Sequence, residues 1–321
     1  MLGRINKQME KIMPIITPVS VVLGVMLSAY LIDFTSLIPW IFAFMTFAGS
    51  LGSNFRALKN TLQHPLPLFL VLMILHILMP AWAWGIGHIV FEGDAYTITG
   101  IVLAMAIPTG ISSLLWVTIY RGNIALTLSI ILLDTFLSPF IVPLTLSLLV
   151  SGRVEMDVYS IMSGLFGMVV LPSILGMLLN QWTKGKAKEK LSPALAPFSK
   201  LGLSIVVMIN AAAVAPFLSD VDLKLVQIAI TVFLIAFTGY LFSFFIGKLF
   251  KGERDTVVSL TFTGGMRNIS AGAVLAVSYF PAPVAVPVVI GMLFQQVLAS
   301  TFGYLVDRHF SRQVFEKEQT M

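Results

Sequence analysis

Long apolar runs return along this chain with almost no charge inside them, and that pattern narrows its possible folds more than any other feature. A bilayer core of about 30 Å needs about 20 apolar residues of helix to cross. Ten runs of that order stand between charged or turn-forming breaks, at about 13–31, 36–54, 66–91, 97–120, 123–150, 156–180, 197–219, 224–250, 256–280 and 283–307. Each is predicted to be helical, because lipid offers no partner to a free backbone N–H or C=O. Hydrophobic residues make up 57% of the chain and charged residues 11%, where a soluble domain carries about 25% charged. Disorder, a coiled coil and an ordinary soluble enzyme are excluded, and the loops are too short for a second soluble domain. The expected fold is all-α and polytopic, one integral membrane domain over 1–321.

The charges test this map. With the N-terminus in the cytoplasm, Arg4, Lys7, Lys11, Arg56, Lys59, Arg121, Lys184, Lys186, Lys188, Lys190, Lys200, Lys248, Lys251, Arg254, Arg308, Arg312 and Lys317 fall inside. Only Arg153 and Lys224 fall outside, a split of 17 to 2 that follows the positive-inside rule. The net charge of +5 then reports orientation, and no nucleic-acid partner is expected. The expected location is the plasma membrane, with both termini cytoplasmic. No cleavable signal is expected, since the first run is long enough to span and lacks a small-residue cleavage site. The lysine cluster 184–190 is expected to be a solvated loop.

Several chemistries are excluded by what the chain lacks. It has no cysteine, so disulfides, thiolate nucleophiles and thiolate-bound metals are out. His64, His76, His88 and His309 have no metal-ligand spacing, and no transition metal or organic cofactor is expected. No Asp-rich prenyl-diphosphate, His-Glu-x-x-His or Gly-x-Ser-x-Gly motif occurs, so an intramembrane enzyme is not expected. A channel, receptor or scaffold is the alternative class to a carrier.

Two of the ten runs are interrupted near their middle. The fourth breaks at Pro108, Thr109 and Gly110, and the ninth at Gly264 and Gly265. Proline removes a helix donor and clashes with the preceding turn, and paired glycines let the chain leave helical geometry. Ser112 and Ser113 after the first break, and Asn268 and Ser270 after the second, are candidate caps for the resumed helices. Fourth and ninth of ten is the same place in two halves of five. An odd number of spans inverts the second half, so an inverted repeat is predicted, with discontinuous helices 4 and 9 crossing at mid-membrane. Matched broken helices are the best sequence pointer to a transporter's binding site. Each break frees N–H groups, which favour anions, and C=O groups, which favour cations.

The residues at these breaks resemble a known family. Pro108-Thr109-Gly110-Ile111-Ser112-Ser113, then Arg121-Gly122-Asn123-Ile124-Ala125-Leu126-Thr127, then Ser138-Pro139, are similar to the fourth-to-fifth-helix signature of the bile acid:sodium symporter family. Gly265-Met266-Arg267-Asn268 resembles that family's ninth-helix motif. Pro80 and the 54–58 linker fit as well. The resemblance implies a panel of helices over about 13–54 and 156–219, and a core over about 66–150 and 224–307. It implies import of a small organic anion, bile-acid-like, pantoate-like or 2-oxoacid-like, together with sodium, through the crevice between them. No obligate protein partner is expected beyond the lipid bilayer.

The departures from the family pattern concern the ion. Ser113 and Thr127 match family sodium ligands, but Thr263 stands where the family has Glu and Arg267 where it has Gln. The places of two more family ligands hold Ile131 and Leu75, which have no ligating atom. Sodium, a proton or no coupling ion therefore remain open.

Asp134 and Arg267 are the two charges that fall inside spans. A charge at a helix centre costs about 2.5–3.5 kcal/mol or more, so both are expected to face inward. Thr127, Ile131, Asp134 and Ser138 share one helical face at spacings of 4, 3 and 4. An ion pair between Asp134 and Arg267 is expected, with the guanidinium in the space of a sodium ion. Asn268, Thr109, Ser112, Asn210 and Gln295 are the candidate substrate contacts. His76 is expected to be an interhelical hydrogen-bonding group, with proton carriage the alternative. Trp40, Trp82, Trp84 and Trp182 are expected near the bilayer interfaces.

Overall fold

The computed structural model describes residues 15–53, 65–150, 154–218, 221–250 and 253–319, with side chains in the last stretch to residue 310. The 54–58 linker, His64 and the cations Arg4, Lys7, Lys11, Arg56, Lys59, Arg153 and Lys251 lie outside these residues, as do the side chains of Arg312 and Lys317.

Among the described residues the regular structure is entirely helical. In chain order the helices are α1 Ile15–Met26, α2 Ser28–Ser50 and α3 Pro65–Val90, α4 Ala95–Ala106, α5 Ser112–Ile119 and α6 Ile124–Val150. They continue as α7 Val158–Trp182, α8 Lys186–Ala213, α9 Leu223–Leu249, α10 Arg254–Gly265, α11 Ile269–Tyr279 and α12 Ala282–Gln319. Seven of these, α2, α3, α6, α7, α8, α9 and α12, are long and apolar enough to cross a membrane, and α1 and α4 are shorter apolar helices. The fourth and ninth predicted runs appear as the pairs α4/α5 and α10/α11, each half too short alone.

Their exposed surface is that of a multi-pass membrane protein. Leu148 is 75% exposed and Ile89 79%. In water such a continuous apolar surface would be an aggregation hazard; against lipid tails it has no cost. Trp40 and Trp182 are likewise exposed. Trp82 and Trp84 spend their indole N–H groups on other helices, Trp82 on Thr238 Oγ1 at 3.0 Å and Trp84 on the Leu149 carbonyl at 2.8 Å.

Charged groups gather at two ends of the helix array. Arg254 pairs with Asp307 at 2.8 Å and Lys248 Nζ lies 2.9 Å from His309 Nε2 at one end. At the other, Lys224 pairs with Asp94 at 2.7 Å. Burial pushes the Asp94 carboxyl up, but the Lys224 ammonium and the Thr97 donors outweigh it and hold it below the usual carboxylate range. The lysine cluster differs from expectation. It is not a loop, for Lys186, Lys188 and Lys190 form the first turns of α8. Gly185, at φ 91°, turns the chain out of α7, and Thr183 Oγ1 accepts from the Ala187 N–H at 3.0 Å to start the new helix.

Packing brings the interrupted pairs to the interior. α4 lies against α3, α6 and α12; α10 lies against α9; and α11 lies against α12 and α8. Residues 97–110 are buried without a break. Gly100 permits the α4–α12 approach, since a Cβ there would strike the Val284 carbonyl and the Pro287 ring.

Candidate functional site

Pro108 ends α4 by its own geometry. The residue before a proline is pushed out of the helical region, and Ile107 is extended at ψ 148°. The second interruption falls later than expected: Gly264 and Gly265 remain helical as the last residues of α10, and the chain leaves helical geometry at Met266, extended at ψ 144°. The two short non-helical stretches lie against each other. The Asn268 N–H donates to the Pro108 carbonyl at 2.8 Å, and Thr109 Oγ1 donates to the Met266 carbonyl at 3.1 Å. Gly110 sits so close that a Cβ would come within 3.0 Å of the Arg267 carbonyl. Gly265 lies flat under Tyr240, where a Cβ would fall on the phenol ring.

The resumed helices begin differently. Asn268 caps α11, its Oδ1 accepting from the Ala271 N–H at 3.3 Å. The expected serine cap of α5 does not form: Ile111 holds the cap position without a side-chain bond, and the Ser113 hydroxyl is buried without a partner. The one carboxylate at the break acts earlier, within the non-helical stretch. Asp134 Oδ2 accepts from the Thr109 N–H at 2.6 Å.

Asp134, fully buried, holds His76 Nε2 at 2.7 Å on its other oxygen. His76 lies in a π-helical stretch of α3, Ile74–Leu78, just ahead of Met79-Pro80. The extra residue per turn alters which way its side chain points, and such stretches recur at functional positions. His76 Nδ1 is buried and unpartnered.

Arg267 serves the opposite poles. Its Nε donates to the Met105 carbonyl at 3.0 Å, and its Nη1 to the carbonyls of Gly264 at 2.8 Å and Met266 at 3.2 Å. Met105 and Gly264 are in the last turns of α4 and α10, so one guanidinium closes the carbonyl ends of both interrupted helices. Hydrogen bonds to a charged group contribute about 1.5–3 kcal/mol each. Three of them offset the cost, about 2.5–3.5 kcal/mol or more, of placing the charge at mid-helix. The direct ion pair expected between Asp134 and Arg267 is therefore absent. Arg267 instead takes three carbonyls at the ends of two helices, while Asp134 takes one backbone N–H within the first interruption and the His76 ring. Arg267 Nη2 is buried and unpartnered.

The other predicted residues fall into four groups. Gln295 joins the crossing, its Oε1 accepting from the Arg267 N–H at 3.1 Å. Thr127 and Thr263 are fully buried and bond one turn back, to the carbonyls of Asn123 and Ser259 at 2.9 and 2.7 Å. Those two residues are themselves joined, as the Asn123 N–H donates to Ser259 Oγ at 2.8 Å. Asn210 is fully buried on α8, and neither polar atom of its amide has a partner. Ser112 is half-buried at the start of α5. A cavity of about 360 Å³ opens between α1, α5 and α12, lined by Thr17, Trp116, Met292, Gln296, Ser300 and Thr301 and by none of the predicted site residues. Among the described residues no cluster of three or more His, Cys, Asp or Glu side chains is placed to hold a metal ion.

Sequence reasoning placed Asp134 and Arg267 in the site and expected His76 to bond between helices, as it does to Asp134, but it did not name which groups meet the two charges. The Met105 and Gly264 carbonyls carry no side-chain signal. The inward turn of His76 left only an indirect one, Pro80 four residues on.

A model of the family described as Sodium Bile acid symporter matches residues 39–221, more than half of the chain. The chain belongs to the sodium bile acid symporter family. The match takes in the first interruption and Asp134 and ends before α9. Uncharacterized protein YbaS of Bacillus subtilis (strain 168) is 57% identical over 305 residues, covering 95% of this chain and 100% of that one. The uncharacterized sodium-dependent transporter YocS of the same organism is 24% identical, covering 89% of this chain and 88% of its own. The probable sodium/metabolite cotransporter BASS1, chloroplastic, of Arabidopsis thaliana is 24% identical, covering 80% of this chain and 63% of its own length. Membership in the sodium bile acid symporter family makes this chain a transporter and not an enzyme.

Proposed function

We propose that the chain is a secondary carrier of a small organic anion, working by alternating access across the plasma membrane. The class includes bile-acid-like, pantoate-like and 2-oxoacid-like anions. Ten spans form two inverted repeats of five, with α4/α5 and α10/α11 as the fourth and ninth. The panel of α1, α2, α7 and α8 rocks against the core of the other helices, and both termini face the cytoplasm. The observation that carries this reading is the crossing of two interrupted helices at buried charges of opposite sign. Such a crossing is the form a mid-membrane binding site takes in repeat-built transporters. The partnerless amide of Asn210, the Ser113 hydroxyl and Arg267 Nη2 are buried polar atoms that a ligand can satisfy. The neutral cap Asn268 leaves the α11 N-terminus receptive to an anion.

Arg267 acts as a tethered cation in this reading. Carbonyl ends of broken helices are where a transported sodium ion finds ligands, and here Met105, Gly264 and Met266 already give their carbonyls to a guanidinium. Sodium is therefore not required at that place. Reconstituted protein tests the reading through uptake of labelled taurocholate, pantoate and pyruvate, with sodium or N-methylglucamine as the cation. Saturable exchange of one probe in both media is expected. No exchange of any probe would sink the carrier; exchange in sodium alone would sink the tethered cation.

A further inference from the structure

The crossing contains a titratable pair that neither the tethered cation nor the substrate contacts account for. We infer that His76 and Asp134 bind the coupling proton, one proton entering with one substrate anion. This rests on the carrier reading above and adds the coupling ion to it.

The pair is built for a proton. Asp134 is fully buried and the His76 side chain is 7% exposed, with Nε2 and Oδ1 2.7 Å apart. Beside a carboxylate, the Nε2 atom of a neutral imidazole must be the donor, which leaves the lone pair on Nδ1. That atom is buried and has no partner. It is the place where one more proton is accepted, giving an imidazolium held against a carboxylate.

Charge balance says when it arrives. The ionisable groups that neighbouring helices bring to this level are Asp134 from α6, Arg267 from the α10–α11 interruption and Tyr240 from α9. α4 brings none here, and Asp94, Lys224, Lys248, Arg254 and Asp255 stand at helix ends. Arg267 and Asp134 cancel, so the empty site is neutral with His76 neutral. A bound monoanion would leave a net negative charge in a low-dielectric interior, and one proton on His76 removes it. Release of the anion on the far side makes the imidazolium the surplus charge and expels the proton there. No bond other than the N–H is made or broken.

The pair is also joined to both interruptions. Asp134 Oδ2 holds the Thr109 N–H at 2.6 Å, and Thr109 Oγ1 holds the Met266 carbonyl at 3.1 Å. A change of charge at His76 thus reaches both interruptions through one carboxylate.

Proteoliposomes made acid outside and alkaline inside test this with labelled taurocholate, pantoate and pyruvate, empty liposomes being subtracted. A probe that exchanges is expected to accumulate about tenfold for each unit of pH difference, whatever the sodium gradient. A potassium diffusion potential should add nothing, since proton and monoanion together move no net charge. His76→Gln should abolish the response to the pH gradient. Should that variant fail to fold, wild-type protein in weakly buffered detergent should take up protons when the exchanging probe is added. Exchange that ignores the pH gradient, or no proton uptake on binding, overturns this inference and leaves the carrier standing. Exchange of no probe under any gradient overturns both.

Discussion

Replacing Arg267 by Gln tests the tethered cation at the level of folding, without need of a substrate. The wild-type guanidinium holds three carbonyls, those of Met105, Gly264 and Met266. A glutamine amide is shorter and has one NH₂ group, so at least one carbonyl loses its donor and the others lose a charged one. Asp134 loses the compensating positive charge at the same stroke. Removing one partner from a buried charged arrangement costs about 3–5 kcal/mol. That range matches the loss of about two charge-assisted hydrogen bonds at about 1.5–3 kcal/mol each. The variant in sodium-free detergent should therefore unfold well below wild type. Sodium should then recover part of the loss, because freed carbonyls of two helix ends become ion ligands. At a sodium concentration of about 100 Kd the recovery is about 2.7 kcal/mol. The assay is thermal unfolding of purified protein in sodium, potassium or N-methylglucamine chloride at one ionic strength. R267Q should be stabilised by sodium selectively, and wild type should melt alike in all three salts. Selective stabilisation of the wild type by sodium would refute the reasoning, as would an R267Q variant of undiminished stability.

Other substitutions probe the supports of the crossing. Asp134→Asn keeps the shape but loses the charge on the Thr109 N–H; a loss of about 1.5–3 kcal/mol in thermal unfolding, with anion exchange falling further than stability, is expected. Gly265→Ala drives a methyl into the Tyr240 ring and should destabilise by about 1–3 kcal/mol, and Tyr240→Ala in the same chain should recover part of that in a double-mutant cycle. The Asp94–Lys224 pair sets an acid limit outside the spans. Its carboxyl is held below the usual range, so its contribution is fully present above a pH of about 3.9 and is lost as pH falls through the depressed value. Unfolding curves below pH 4 should be flatter for Asp94→Asn than for wild type, and equal slopes would remove the pair from the account.

Much of the frame was legible because membrane helices are written in composition. A run such as Leu223–Leu249 is apolar all round, and lipid leaves it no alternative to a helix. The break at Pro108 was legible for a local reason, the steric limit on Ile107. The partners of the two buried charges were not. Asp134 and His76 are 58 residues apart, and Arg267 meets Met105 across 162. The amino acids at these positions announce that charges must be satisfied but not by which backbone groups. The expected ion pair between Asp134 and Arg267 follows from charge alone. It fails because other partners lie within reach: three carbonyls at two helix ends for Arg267, and the Thr109 N–H with the His76 ring for Asp134. The lysine cluster misled for a related reason: charged residues look like loop, yet a solvated helical turn accepts them equally well.

The sequence by itself determined the solvent this protein lives in, the places where its helices must stop, and the two charges that would have to be justified. These depend on single residues and their near neighbours, through transfer free energy and backbone sterics. Only the tertiary structure decided what those charges do. Bringing two interruptions together put carbonyl ends of α4 and α10 around one guanidinium, and the Thr109 N–H of the first interruption against one carboxylate that also holds His76. Those arrangements depend on the direction of exposed backbone dipoles in space, which no side-chain pattern along the chain records.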